Sequence, residues 1–109
     1  MNITIKPGLL GTEYCGTDRY AVMCISVESP KRIVLTRLYG LDENNIKNNP
    51  DIIFDNSYMY IKDDKWKNYY PSKFEKWSLR KNGKWKEMNS LYSSTIMWGN
   101  AEPYRDPDF

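Results

Sequence analysis

The chain contains no histidine in its 109 residues. That removes the commonest general base, the Ser-His-Asp arrangement and nearly every zinc site. Only two cysteines are present, Cys15 and Cys24, too few for a structural zinc site. Cys24 lies in the apolar run Val22-Met23-Cys24-Ile25 and reads as a small core residue. Cys15 follows Tyr14 in a glycine-rich turn and reads as more exposed. Both are expected as reduced thiols, a Cys15–Cys24 bridge being the minor reading.

Other absences narrow the field further. Met1 to Leu10 has one lysine, a Pro7-Gly8 step and no useful apolar run, so no signal peptide is expected. No stretch approaches the roughly 20 apolar residues of a membrane span. The expectation is a soluble, intracellular protein with no membrane partner. A phosphate loop is also missing, since Pro7-Gly8 and Gly11 lack the following Lys and Ser/Thr. Carboxylate pairs do occur: Asp63-Asp64, Asp42-Glu43, and Asp106 with Asp108. All fall in expected turns or the tail, and hydrolysis of a glycoside needs two carboxylates facing across a cleft. The sequence is therefore read as non-enzymatic, with no catalytic residues, no metal and no cofactor.

What is present is aromatic and β-forming. Nine Tyr, four Trp and three Phe make 15% of the chain, and Tyr and Trp suit half-exposed surfaces or interfaces because each ring has a polar tip. The net charge of +2 conceals an asymmetry. From Lys62 to Lys86 nine residues are basic and three acidic, while the remainder holds seven basic and eleven acidic. A basic segment interleaved with aromatics can favour an anionic partner. Lysines on exposed hairpin edges that block edge-to-edge pairing are the plainer explanation.

One pattern occurs twice. Lys62-Asp63-Asp64-Lys65-Trp66-Lys67 recurs nineteen positions later as Lys81-Asn82-Gly83-Lys84-Trp85-Lys86. Each copy follows an alternating run, Tyr58 to Ile61 and Trp77 to Arg80, so two β-hairpins are predicted. In the second, a two-residue turn would set Lys81 against Lys84, which is unfavourable. A three-residue loop with Gly83 left-handed pairs Leu79 with Trp85 and Trp77 with Glu87. That register gathers Trp77, Leu79 and Trp85 on one face and is preferred. The same logic sets Tyr60 opposite Trp66 in the first hairpin.

Elsewhere, Asn2 to Lys6 is predicted as a short strand and Leu9 to Asp18 as a loop. Tyr20 to Val27 and Arg32 to Leu38 are apolar on both faces, and are predicted as a central hairpin covered on both sides, turning at Glu28 to Lys31. Asp42 to Asn49 reads as a polar loop or a single helical turn, Ile52 to Phe54 as a short buried strand, and Leu91 to Trp98 as the last strand. Ser72 and Glu75 have capping-box spacing, which predicts one helical turn near Ser72–Trp77. The whole is a mostly β single domain over 1–109, of about seven to nine strands in consecutive antiparallel hairpins. They would form a twisted sheet or small open barrel, with at most one short helical turn and 99–109 as an extended tail.

Three binding readings follow. A basic-aromatic hairpin surface of Lys65, Trp66, Lys67, Arg80, Lys84, Trp85 and Lys86 could stack bases and neutralise phosphates. Strand alternation weakens it, because the two lysines of each Lys-Trp-Lys triplet face away from the ring. A protein interface fits the abundance of Tyr, Trp and Met. Its candidates are Tyr58, Tyr60, Tyr69, Tyr70, Tyr92 and Tyr104, used for a homodimer or a larger partner. A small-molecule pocket for a nucleotide could use Arg19, Arg32, Arg37 and Arg105.

The run Trp77-Ser78-Leu79-Arg80-Lys81-Asn82-Gly83-Lys84-Trp85, the closing Tyr104-Arg105-Asp106-Pro107-Asp108-Phe109, and the wealth of Lys, Asn, Ile and Tyr resemble small accessory proteins of bacteriophages and mobile elements. The resemblance covers the last third of the chain and carries no functional residues with it. It implies an inhibitor of host machinery or defence, of the anti-CRISPR kind in general role, acting in the cytoplasm of a bacterial host. The expected function is stoichiometric binding of a host protein through the hairpin tips and the tail. Tyr104 and Phe109 would be anchors there and Arg105 a charged contact. Nucleic-acid binding, or sequestration of a nucleotide signal, is the alternative.

Overall fold

The computed structural model describes residues 4–91 and 93–104. Among them the chain forms eight strands: β1 (Leu10–Cys15), β2 (Asp18–Ser29), β3 (Arg32–Arg37), β4 (Ile52–Asp55), β5 (Tyr58–Ile61), β6 (Glu75–Leu79), β7 (Trp85–Glu87) and β8 (Ser93–Trp98). Strands β1-β2-β3-β6-β7-β8 pair antiparallel in chain order, and β8 returns to β1, so the sheet closes into a barrel. The β4–β5 hairpin is inserted between β3 and β6 as a separate two-stranded ribbon. This is the mostly β, consecutive-hairpin domain expected, with the barrel closed rather than open. Closure leaves the barrel without an unpaired edge.

The two-sided burial of β2 has a direct cause. Alternate residues of a strand face opposite ways. Val22 and Cys24 point into the barrel, joining Ile33, Leu35, Trp77, Trp85 and Ile96 in an inner core. Ala21 and Met23 point outward into a second core with Leu10, Leu38, Leu41, Ile52, Met59, Ile61 and Ala101. The β4–β5 ribbon and the segment after β8 thus cover one outer wall of the barrel. Gly11 faces inward where a Cβ would lie 2.9 Å from the Trp98 ring, so only glycine leaves room for that indole. Both cysteines are free thiols, with Cys24 buried.

The β6–β7 hairpin adopts the preferred register, with Trp77 opposite Glu87 and Leu79 opposite Trp85. Gly83 is left-handed at φ +79°. Arg80 donates its N–H to Lys84 at 2.8 Å and Gly83 to Arg80 at 3.0 Å, closing the three-residue loop.

Several expectations are corrected. The segment expected as a loop from Leu9 to Asp18 contains β1 and a tight turn, with Cys15 opposite Asp18 and Gly16 at φ +59°. A II′ hairpin turn places glycine at that first loop position. Thr4 to Lys6 is not strand, and Ile3 lies outside the described residues. The turn between β2 and β3 is shorter than expected, because Ser29 pairs with Arg32 and only Pro30-Lys31 remain between them.

The first copy of the repeat is not a hairpin. Tyr58–Ile61 pairs with β4, so Tyr60 lies opposite Ile53 and not opposite Trp66. Trp66 sits in a 3-10 turn over Lys65–Asn68. Where the second copy has Gly83, the first has Asp64, which takes φ −89°. The left-handed residue is instead Asp63 at φ +52°. The chain then winds on, Lys65 bonding to Lys62 and Lys67 to Asp64, both at 3.1 Å. Trp66 packs on the outer core and on Phe74, ring centroids 5.6 Å apart. The helical turn expected near Ser72–Trp77 is absent. The Ser72 hydroxyl accepts the Arg37 N–H at 3.0 Å, and its carbonyl accepts from the Thr36 hydroxyl at 2.8 Å, which ties this segment to β3. Finally, β4 is not buried beyond Ile52, since Ile53 is 46% and Phe54 68% exposed.

Candidate functional site

The expected site residues are dispersed over the molecule. Trp85 lies in the inner core, 4% exposed, with its ring edge-on to Trp98 at 6.3 Å between centroids. It is a structural residue and cannot stack on a base. Trp66, Lys65 and Lys67 sit together on the β5–β6 connection, with the Lys67 ammonium 5.7 Å from the Trp66 ring and 3.8 Å from Asp64. Arg80 and Lys86 meet Lys31 and Arg32 in a groove of about 520 Å³ beside the β2–β3 turn, where Glu28 and Glu87 offset part of the charge. Lys84 is exposed at the β6–β7 loop. The basic and aromatic components of the expected surface are therefore not assembled in one place.

Tyr58 is half-buried on β5 and Tyr60 almost wholly so, with the Lys6 ammonium 4.8 Å over its ring. Tyr104 is fixed to β2 by two backbone bonds, Arg19 N–H to its carbonyl at 2.7 Å and its own N–H to Arg19 at 2.9 Å. The segment before it is packed, Ala101 being part of the outer core. Arg105, Phe109, Tyr92, Asp106 and Asp108 lie outside the described residues.

One mouth of the barrel is polar. Glu13 and Cys15 of β1, Arg37 of β3, Glu75 of β6 and Glu87 of β7 line a cavity of about 270 Å³ with Trp77 and Ser94. Glu13 is 1% exposed. Arg37 donates to both of its oxygens, Nε to Oε1 at 2.8 Å and Nη2 to Oε2 at 3.0 Å. The guanidinium also lies 4.4 Å over the Tyr20 ring. Burial alone would lower the Arg37 pKa, but its bonds to Glu13 overcome that and raise it. The Cys15 thiol donates to Glu13 at 3.3 Å. Its pKa is raised by burial and then by the Glu13 charge. Glu75 is raised by burial first and by Glu87 second. Among the described residues, no group of three or more His, Cys, Asp or Glu is placed to hold a metal ion.

The feature that sequence reasoning missed is the free edge of β4. Met59 and Ile61 of β5 send their N–H groups away from β4, to Gly99 at 2.8 Å and Gly8 at 3.0 Å. By strand alternation, Ile53 and Asp55 then bond back to β5, while the Phe54 N–H and C=O point outward. No strand covers that edge among the described residues. The sequence signal was the apolar pair Ile53-Phe54 itself, taken as buried because it is apolar.

No helix among the described residues is long and apolar enough to cross a membrane. Comparison with protein-family models, with curated proteins and with solved structures finds no match to this chain.

Proposed function

We propose that the protein works by stoichiometric binding of another protein, which adds an extended segment to the edge of β4. The observation that carries this reading is the outward-facing Phe54 backbone on an unpaired edge, flanked by exposed Ile53 and Phe54 side chains. Edge strands of soluble proteins are usually shielded by charge, proline or a bulge. Strand addition supplies backbone hydrogen bonds for affinity and alternate side-chain contacts for specificity. Ile53 and Phe54, being adjacent, offer one apolar contact on each face of the ribbon. Asp55 at one end is already paired with Lys6 at 3.7 Å and Asp51 at the other accepts the Tyr69 hydroxyl, so the selectivity rests on the apolar contacts. Given the resemblance to bacteriophage accessory proteins, the partner is a host protein and the binding is inhibitory, as in an anti-defence role.

The test is a pull-down with the tagged protein from bacterial lysate, at about 0.15 M and about 0.5 M salt and with nuclease, because phosphate contacts fade with salt and apolar edge contacts do not. Phe54→Pro removes the outward N–H without touching the β4–β5 bonds. A stoichiometric protein that survives salt and nuclease, is lost with Phe54→Pro, and is retained by Lys84→Glu with Lys86→Glu supports the reading. Recovery indifferent to Phe54→Pro, or recovery of nucleic acid alone at low salt, sinks it.

A further inference from the structure

We propose that the cleft between β2, the β3–β4 connection and the segment before Tyr104 binds a nucleoside monophosphate, one nitrogenous base joined through its ribose to one phosphate. The cleft encloses about 280 Å³. That is near the lower limit for small-molecule sites and suits one ring system with one anionic group. It shares no residue with the exposed part of the β4 edge, so it stands independently of the protein-binding reading.

Its walls are aromatic and held in place. Tyr20 and Tyr39 meet edge to face, 6.2 Å between centroids at 87°. Arg37 already lies over the Tyr20 ring, so the exposed Tyr39 ring is the stacking face for a flat ligand. Tyr39 is 52% exposed, so the core does not require its ring. Its hydroxyl nonetheless accepts from Arg37 Nη1 at 3.4 Å, which restrains it. The third wall, Tyr104, is anchored by its backbone bonds to Arg19. Buried Ala21, Leu38 and Leu41 form an apolar floor.

The polar groups are few. Arg19 lines the cleft with its guanidinium 5.2 Å over the Tyr104 ring; its Nε is buried and unpaired, so a ligand meets the other nitrogens of the fork. An anionic oxygen is the strongest partner for the guanidinium N–H groups that remain. Two acids also line the cleft, Asp42 and Glu43. Asp42 is engaged, its Oδ1 accepting the N–H groups of Asn44 at 2.9 Å and Asn45 at 3.0 Å. Glu43 is exposed at the rim, where its carboxylate suits ring N–H donors. A cation for the anion, a flat face for the ring and a carboxylate for ring donors together specify a nucleotide over a plain aromatic acid. Arg37, the other arginine beside Tyr20, is committed to Glu13.

The experiment is calorimetric titration of the full chain with AMP, GMP, CMP and UMP, with the matching free nucleosides and inorganic phosphate, and with Arg19→Gln and Tyr39→Ala. At least one monophosphate should bind saturably. Loss of its phosphate, Arg19→Gln and Tyr39→Ala should each weaken it by about tenfold. Inorganic phosphate alone should not bind, and Phe54→Pro should leave the affinity unchanged. Three results would overturn the proposal: no saturable binding of any monophosphate up to about 1 mM, affinity indifferent to both cleft substitutions, or inorganic phosphate binding as well as the nucleotide. Tyr39→Ala keeps the test decisive if Arg19→Gln fails to fold, because Tyr39 is a surface residue.

Discussion

Arg37 reaches past β2 to grip Glu13 on β1, closing a two-bond ion pair inside the polar mouth of the barrel. The two strands are not neighbours, so this pair ties the barrel across its interior. Glu13 is 1% exposed, and a carboxylate so buried is tolerable only while its partner stays in place. Arg37→Leu should therefore destabilise the fold by about 3 kcal/mol, the low end for a broken buried pair because Arg37 retains some exposure. Glu13→Leu combined with Arg37→Leu should recover much of the loss, since two apolar groups leave no orphaned charge. Urea denaturation of the wild type, both single variants and the double variant checks this. Additive single effects would show that the pair is not coupled.

Glu75 stands at the same mouth. Its pKa is raised by burial and by the nearby Glu87. A carboxyl with a higher pKa folded than unfolded holds its proton more tightly in the native state. Stability then falls as pH rises through the window between the unfolded and folded values, and the penalty persists above it. Glu75→Gln should raise the melting temperature at pH 7. That advantage should shrink towards zero as pH drops below the ordinary glutamate range. A gain independent of pH would assign the effect to packing.

Much of this architecture was legible in the sequence, and the failures have specific causes. The β6–β7 register could be read because only one pairing kept like-charged lysines apart and brought Trp77, Leu79 and Trp85 to one face. The two-faced burial of β2 could be read from its unbroken apolar run. The direct repeat misled, because Lys-Trp-Lys is the same in both copies while the turn is set by Gly83 in one and Asp63-Asp64 in the other. β1 was hidden by its composition: Gly11, Thr12 and Glu13 look like a loop, yet closure of the barrel buries all three. The binding surfaces were the least legible. Exposure of Ile53 and Phe54 depends on which strand lacks a neighbour, and the aromatic cleft joins residues from Arg19 to Tyr104. Neither relation is local in sequence.

The placement of Trp85 inside the barrel separates it from Trp66 despite their identical flanks. Trp85→Ala removes a large ring from the inner core and should cost about 3–5 kcal/mol. Trp66→Ala removes a half-buried ring from the outer core and should cost clearly less. Lys84→Glu with Lys86→Glu, on the same hairpin, should change stability by no more than about 0.5 kcal/mol. Chemical denaturation of the three variants gives the order. Equal losses for the two tryptophans would contradict the division between inner and outer cores.

The two thiols should differ in reactivity, and Glu13 should control one of them. Cys24 is fully buried, and burial pushes its pKa up to about 11. Cys15 is half-buried, raised by burial and by the Glu13 charge. Since the thiolate is the reacting form, a raised pKa slows modification at neutral pH. In native protein at about pH 8, close to the ordinary cysteine pKa, an aromatic disulfide reagent should modify Cys15 slowly and leave Cys24 untouched until the chain unfolds. Glu13→Gln removes the negative charge that holds the Cys15 proton and leaves Arg37 beside the sulfur. The Cys15 pKa should then fall and its modification accelerate several-fold, while Cys24 stays protected so long as the variant remains folded. Mass spectrometry of each labelled site against time distinguishes the outcomes. Equal native rates for both cysteines would mean that barrel opening, not thiol chemistry, limits the reaction. An unchanged Cys15 rate in a folded Glu13→Gln variant would show that burial alone sets its pKa.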